Sequence, residues 1–218
     1  MFAQSYGAVT FGLSGHIITV EVDISTHVPS FDIVGLPAAA VKESKERVRS
    51  AIKNSGYRFP VYRITVNLAP ADLRKEGSGL DLPIAVGILA ASGQLPEEAI
   101  QGCLFVGELS LRGELRPVPG ILSMVLAGKE AGFRKYIMAP DAAQEALLAE
   151  GTEIYGPRTL AELVEGLLGR TPLVPAVRKE PTPAPEETND LADVQGQLIA
   201  KRALEIAAAG AHNLLMTG

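Results

Sequence analysis

From Leu82 to Ala91 the chain runs without a single charged residue, LPIAVGILAA. A helix made of that run offers no side that water would accept, so it has to lie inside a fold, against a sheet and under other elements. Its flanks give it a frame. Arg63 to Leu68 alternates polar and apolar residues (Arg63/Ile64, Thr65/Val66, Asn67/Leu68) and carries the β-branched side chains that suit a half-buried strand. Pro70 stops the ladder, and Lys75-Glu76-Gly77-Ser78-Gly79 reads as a loop whose glycines reach backbone angles closed to other residues. Asp81 is the expected N-cap of the helix, Pro83 fits its first turn, and Gly93 its stop.

Upstream, strands are expected at Ser5 to Phe11 and His16 to Ile24, the second placing Ile18, Val20, Val22 and Ile24 on one face, as in a one-sided antiparallel sheet. Phe31 to Val34 adds a third. Ala38 to Asn54 has a helical period, with Val41, Val48 and Ile52 on one face and Lys42, Glu43, Lys45, Glu46 and Arg49 on the other. Downstream, Leu104 to Leu109 reads as a strand leading through Gly113 into a hairpin at Leu115-Arg116-Pro117. Helix and strand then alternate: Ile121–Ala131, Tyr136–Ala139, a short helix ending at Ala149, Thr152–Tyr155 and Thr159–Leu167. Antiparallel strands first and strands alternating with helices afterwards give an α+β domain with a mixed sheet.

The surface signal lies between Lys42 and Arg63, where seven basic residues face two acidic ones, a local charge of +5 in a chain of net charge −5. Cations on one helix face suit phosphate neutralisation, and Lys42, Lys45, Arg49 and Lys53 are the candidate DNA contacts. The competing reading is a solvated face held by Lys42/Glu46 and Glu43/Arg47 pairs. With a pI of about 5.3 the chain alone is expected to bind DNA weakly.

At 47% hydrophobic and 21% charged residues the composition is that of a folded protein. One cysteine, Cys103, excludes an internal disulfide, and three scattered histidines give no zinc pattern. No apolar run approaches the ~18 residues of a membrane span, and the start lacks a basic signal-peptide region, so a cytoplasmic location is expected. A domain is expected over residues 1–169. Arg170 to Thr188, with five prolines, reads as a stiff solvated tether, and residues 189–218 begin a second module: a helix from Leu198 to Ala209, then a buried strand through Asn213 to Thr217.

NLAPADLRKEGSGLDLPIAVGILAAS, together with VGELSLRGELRPVPGIL from Val106 to Leu122, resembles the N-terminal domain of the ComM/YifB family of magnesium-chelatase-like AAA+ ATPases. The resemblance covers essentially the whole chain. It implies a fold like the Lon proteolytic domain (ribosomal protein S5 domain 2-like) and the C-terminal domain of RadA. In Lon the corresponding loop reads lysine, aspartate, glycine, proline, serine, the serine being the nucleophile and a later lysine the base. Aligned on Lys75-Glu76-Gly77, the proline falls on Ser78, the nucleophile on Gly79 and the base on Leu122. A glycine and a leucine supply neither group, so a protease fold without protease chemistry is expected. A shift of one residue puts Ser78 at the nucleophile position but leaves Leu122 where the lysine should be.

The resemblance also implies that Asp193-Val194-Gln195-Gly196-Gln197 is the stretch that lies by the adenine in the family, with Val194, Gly196, Gln197 and Gly218 as nucleotide-binding positions. Gly218 would be the first glycine of a P-loop, so the phosphate lysine, the magnesium-binding hydroxyl and the acidic residue that activates water fall outside this sequence. ATP and Mg are the implied cofactors of the full-length protein, DNA, single-stranded or branched, the implied partner, and a homo-hexamer through the AAA+ module the implied assembly. The resulting reading is the N-terminal portion of a DNA motor. Its alternatives are a magnesium-chelatase-type ATPase subunit, a hydrolase using Ser78, and a protein-interaction domain.

Overall fold

The computed structural model describes residues 1–179 and 190–217. The chain divides into two units, Met1–Lys179 and Glu180–Gly218.

The first unit opens with β1 (Phe2–Phe11) and β2 (Ser14–Ser25), a long antiparallel hairpin. β3 (Ser30–Val34) then leads into α1 (Ala39–Asn54), and the chain returns in β4 (Arg63–Ala69). β4 pairs antiparallel with β2 and parallel with β3, so the sheet order is β1-β2-β4-β3 and β3-α1-β4 is a βαβ crossover. The predicted alternation holds along β2 and β4: Ile18, Val20, Val22, Ile24, Ile64, Val66 and Leu68 all point into the core.

The chargeless run forms α2 (Asp81–Ala91), in which every residue except Ala90 is buried. It packs on β1 and β2 and against α1. The approach to the sheet is close because small residues meet there: a Cβ on Gly87 would stand 2.8 Å from Val22 Cγ2, and one on Gly7 2.8 Å from Pro83 Cγ. Ser5 donates across the same contact to the Pro83 carbonyl at 2.8 Å. Burial of Leu82, Ile84, Val86, Ile88 and Leu89 contributes about 1.5–3 kcal/mol for each side chain.

After a short α3 (Glu97–Ile100) come β5 (Cys103–Val106) and a small hairpin of β6 (Glu108–Leu109) and β7 (Leu115–Arg116). The single strand expected over Leu104–Leu109 is divided at Gly107, whose N–H donates to Gly79 O and whose carbonyl accepts from Leu82 N. α4 (Ile121–Glu130), β8 (Lys135–Met138), α5 (Ala143–Ala146), β9 (Glu153–Tyr155) and α6 (Leu160–Leu167) complete the unit, and β5-β8-β9 form a wholly parallel second sheet. One core cluster joins the four-stranded sheet to α1, α2 and α6; another lies between β5, β8, α4 and α5.

The tether starts later than the prolines suggest. Pro175 bridges to Tyr155, Ala176 N–H donates to Ile154 O at 2.7 Å, and Gln144 Nε2 donates to Val177 O at 3.0 Å. β9 is an open edge, and this stretch supplies it with partners, which puts residues up to Lys179 in the first unit. The rest of the expected tether, residues 180–188, lies outside the described residues.

In the second unit, a 3-10 turn at Leu191–Asp193, capped by Asp190, leads to α7 (Leu198–Gly210). The buried strand expected at Asn213–Thr217 is absent. Those residues have no regular structure, and Leu215 is 87% exposed. A strand needs a neighbour for its N–H and C=O groups, and the described part of this unit holds no other strand.

Candidate functional site

α1 turns Val41, Ser44, Val48, Ala51 and Ile52 inward, which leaves the opposite stripe to Lys42, Lys45, Arg49 and Lys53, spaced by three or four residues. Three of them, Lys45, Arg49 and Lys53, line one wall of a groove of about 410 Å3, with Glu46 beside them. The other wall is aromatic. Phe31 and Phe59 stand with ring centroids 5.7 Å apart, and Tyr62 closes the wall. The Arg49 guanidinium lies 5.2 Å from the Phe59 ring centre, and Lys45 Nζ 6.0 Å from that of Phe31. Lys45 is also 3.6 Å from Asp32 Oδ1, so part of its charge is already answered. Lys42 is exposed one turn earlier and does not line the groove.

The groove continues into a second cleft of about 760 Å3 that shares Lys53, Phe59 and Tyr62 and adds Tyr57, Arg58 and Gln94. The loop between them is pinned at several points. Gln94 both accepts from Arg58 N (2.8 Å) and donates to Arg58 O (2.7 Å), and Tyr57 donates to Glu165 Oε1 at 3.2 Å. Burial, then the hydrogen bond to Glu165, raises the Tyr57 pKa. A count of charges finds Arg58 but not the aromatic residues beside it. Tyr57-Arg58-Phe59-Pro60-Val61-Tyr62 holds three aromatics in a chain with only five tyrosines, six phenylalanines and no tryptophan, and that local density was the available signal.

Arg47, counted among the surface cations, points the other way. Its Nε donates to Asp81 Oδ2 at 2.6 Å and its Nη2 to Oδ1 at 3.1 Å, while Ser44 Oγ and Leu109 N (3.2 Å) complete the donors around that carboxylate. Asp81 is fully buried. Burial pushes its pKa up, against the pull of Arg47, Ser44 and the Leu109 N–H; the hydrogen bond to Asp81 in turn raises that of Arg47. With every donor aimed at the two carboxyl oxygens, the arrangement is that of an ion pair. Asp81 is therefore not the N-cap: Leu80 occupies that position without a side-chain cap, and the acid lies in the first turn, where it also faces the positive end of the helix.

The loop before it is equally committed. Lys75 is wholly buried and donates to the carbonyls of Gly35 (2.8 Å) and Pro70, and burial lowers its pKa. Ser78 Oγ donates to Glu108 Oε2 at 2.5 Å, and Glu108 lies 3.6 Å from Arg116. Ser78 and the buried Gly79 line a cleft of about 220 Å3 with Val118 and Pro119. Leu122 does not line it: it packs against the β5–β8 cluster, and its N–H donates to Glu145 at 2.9 Å. Ser78 thus meets a carboxylate, and Lys75, the lysine of its own loop, is turned to backbone oxygens.

In the second unit Val194 is 42% exposed, Gly196 has φ +69°, and Gln197, at φ +49°, is the N-cap residue of α7. Gly218 lies outside the described residues. Among the described residues no group of His, Cys, Asp or Glu is arranged to hold a metal ion, and no helix is long and apolar enough to cross a membrane.

The family model for subunit ChlI of Mg-chelatase matches residues 20–142, more than half of the chain. The chain belongs to the Mg-chelatase ChlI family. A second model of this family, magnesium chelatase, subunit ChlI, matches residues 190–218. Competence protein ComM of Haemophilus influenzae is 46% identical over 217 residues, covering 98% of the chain and 42% of that protein. YifB of Escherichia coli, an uncharacterized protein, is 47% identical over 209 residues, 95% of the chain and 40% of its own length. Lon protease 2 of Bacillus subtilis is 25% identical over 177 residues, 73% of the chain and 31% of the protease. This ChlI-family chain therefore spans about two fifths of the length of the ComM and YifB proteins it matches. Its mixed α+β architecture and its likeness to Lon agree with the expected fold class.

Proposed function

We propose that the chain is the N-terminal assembly and DNA-guiding portion of a hexameric, ATP-dependent DNA motor of the cytoplasm, a branch-migration helicase serving transformation or recombination. The observation that carries this reading is the groove on α1, where Lys45, Arg49 and Lys53 stand in a row beside the Phe31, Phe59 and Tyr62 rings. Cations release counterions from phosphates, and the exposed Tyr62 ring gives a base a surface to stack on. The competence name of the Haemophilus relative points the same way.

ATP and Mg would be the cofactors of the whole protein. The residues present fit the base end of a nucleotide: Val194 exposes an apolar surface, and two left-handed residues, Gly196 and Gln197, turn the backbone sharply into α7. Gly218 would open the phosphate loop. Ser78, Gly79 and Leu122 are read as the relic of a protease site, since the contacts of Ser78 and Lys75 provide no serine–lysine pair.

The experiment is charge reversal of Lys45, Arg49 and Lys53 to Glu in the intact protein, with binding to branched DNA measured across a salt series. Binding should weaken, and the slope of log affinity against log salt should fall by about two, given roughly 0.7–0.9 per phosphate contact and the partial pairing of Lys45 with Asp32. Unchanged binding would remove this groove from the account. The family's chelatase name supports a second reading, an ATPase subunit for inserting magnesium into a tetrapyrrole. Magnesium insertion into a tetrapyrrole by the intact protein would favour it.

A further inference from the structure

We infer that the Tyr57–Tyr62 loop makes the α1 groove selective for single-stranded nucleic acid, with the Tyr62 ring as a platform for an unpaired base. The inference rests on the DNA reading above and deepens it. Tyr62 lines both clefts and so stands where they join, and it is 42% exposed, next to Val61 at 74%. Two apolar side chains in water beside a row of cations are unfavourable for a free protein and favourable for one that receives a flat, weakly hydrated partner carrying phosphates.

A duplex is a poor candidate. Its phosphates can reach Arg49 and Lys53, but its base faces are stacked inside and offer nothing to an aromatic ring. A single strand offers both. Its bases are free to stack on Tyr62, and its backbone can follow Lys53, which lines both clefts, to Arg58 in the second. The first half of the loop is fixed. Gln94 clamps Arg58 through both backbone groups, Tyr57 is tied to Glu165, and Phe59 is buried against Phe31 and under Arg49. Residues 57–59 therefore lose little ordering entropy when a strand arrives.

The test compares Tyr62→Ala and Tyr62→Phe in the intact protein, with a fluorescent oligothymidylate and a mixed-sequence duplex of the same length as probes. Circular dichroism confirms that each variant is folded. The expected result is a loss of about tenfold or more in oligothymidylate affinity for Tyr62→Ala, an unchanged salt slope, duplex affinity within about twofold of the parent, and near-parental behaviour of Tyr62→Phe. Equal losses on both probes, or no loss on either, overturn the inference. So does displacement of the oligothymidylate by polyglutamate in a Tyr62-dependent manner, which would assign the groove to an acidic peptide. The triple charge reversal keeps the two failures apart. If it abolishes DNA binding while Tyr62→Ala changes nothing, only the single-strand preference falls; if it too changes nothing, the DNA reading falls with it.

Discussion

Asp81 carries its charge at a place where water cannot reach, and its two oxygens are met by Arg47, Ser44 and the Leu109 N–H instead. Those contacts tie α1, the start of α2 and the β6 strand to one point. Taking the charge away leaves Arg47 half-enclosed with nothing to answer it. Asp81→Asn should therefore cost about 3 kcal/mol, read as a lower urea midpoint at unchanged slope. An apolar double replacement, Asp81→Leu with Arg47→Met, should recover much of that loss, because a buried ion pair repays little beyond its own desolvation. A parental midpoint for Asp81→Asn would show that the pair does not hold these elements together. None of this was legible locally. An acid just before an apolar helix matches a capping rule, and an arginine on a charged helix face matches a surface rule. The partners are separated by 34 residues, and only the fold brings them together.

At the scale of elements, the strongest patterns were the readable ones. α2 follows from a run with no charge, β2 and β4 from strict alternation, and α1 from a two-faced period. The misses have one cause, pairing that sequence cannot supply. The strand expected at Asn213–Thr217 has no neighbour among the described residues, while the proline-bearing stretch at 173–177, read as solvated, finds one in β9. The parallel pairing of β3 with β4 also depends on where α1 lays the chain down. α2 makes its own demand on the sheet. Gly87 faces Val22 and Ser5 so closely that an added methyl has nowhere to go, and Gly87→Ala should destabilise by about 1–3 kcal/mol despite alanine's better helix propensity. Differential scanning calorimetry gives the sign directly. A rise in Tm would mean that the helix can move off the sheet, contrary to the packing described.

For the whole molecule, charge is the organising quantity. The chain is net −5, yet the segment from Lys42 to Arg63 is +5, so the remainder carries −10. The fold narrows that positive excess to a few cations. It withdraws Arg47 to Asp81 and partly pairs Lys45 with Asp32, and it sets Arg49, Lys53 and Arg58 along two joined clefts. The sequence showed the cations but not the aromatic wall they face, because the groove is built from β3, α1 and the loop before β4. The same fold retains the cleft beside Ser78, whose lining holds Glu76 and no basic residue, so the α1 groove and that cleft predict different contacts with a strand. Photocrosslinking separates them most directly. Single-stranded DNA bearing a photoreactive base is bound to the intact protein, irradiated, and the attached peptides are sequenced. The account predicts crosslinks within residues 42–63, with Tyr62 prominent. Crosslinks confined to residues 76–79 and 118–124, with none between 42 and 63, would contradict it.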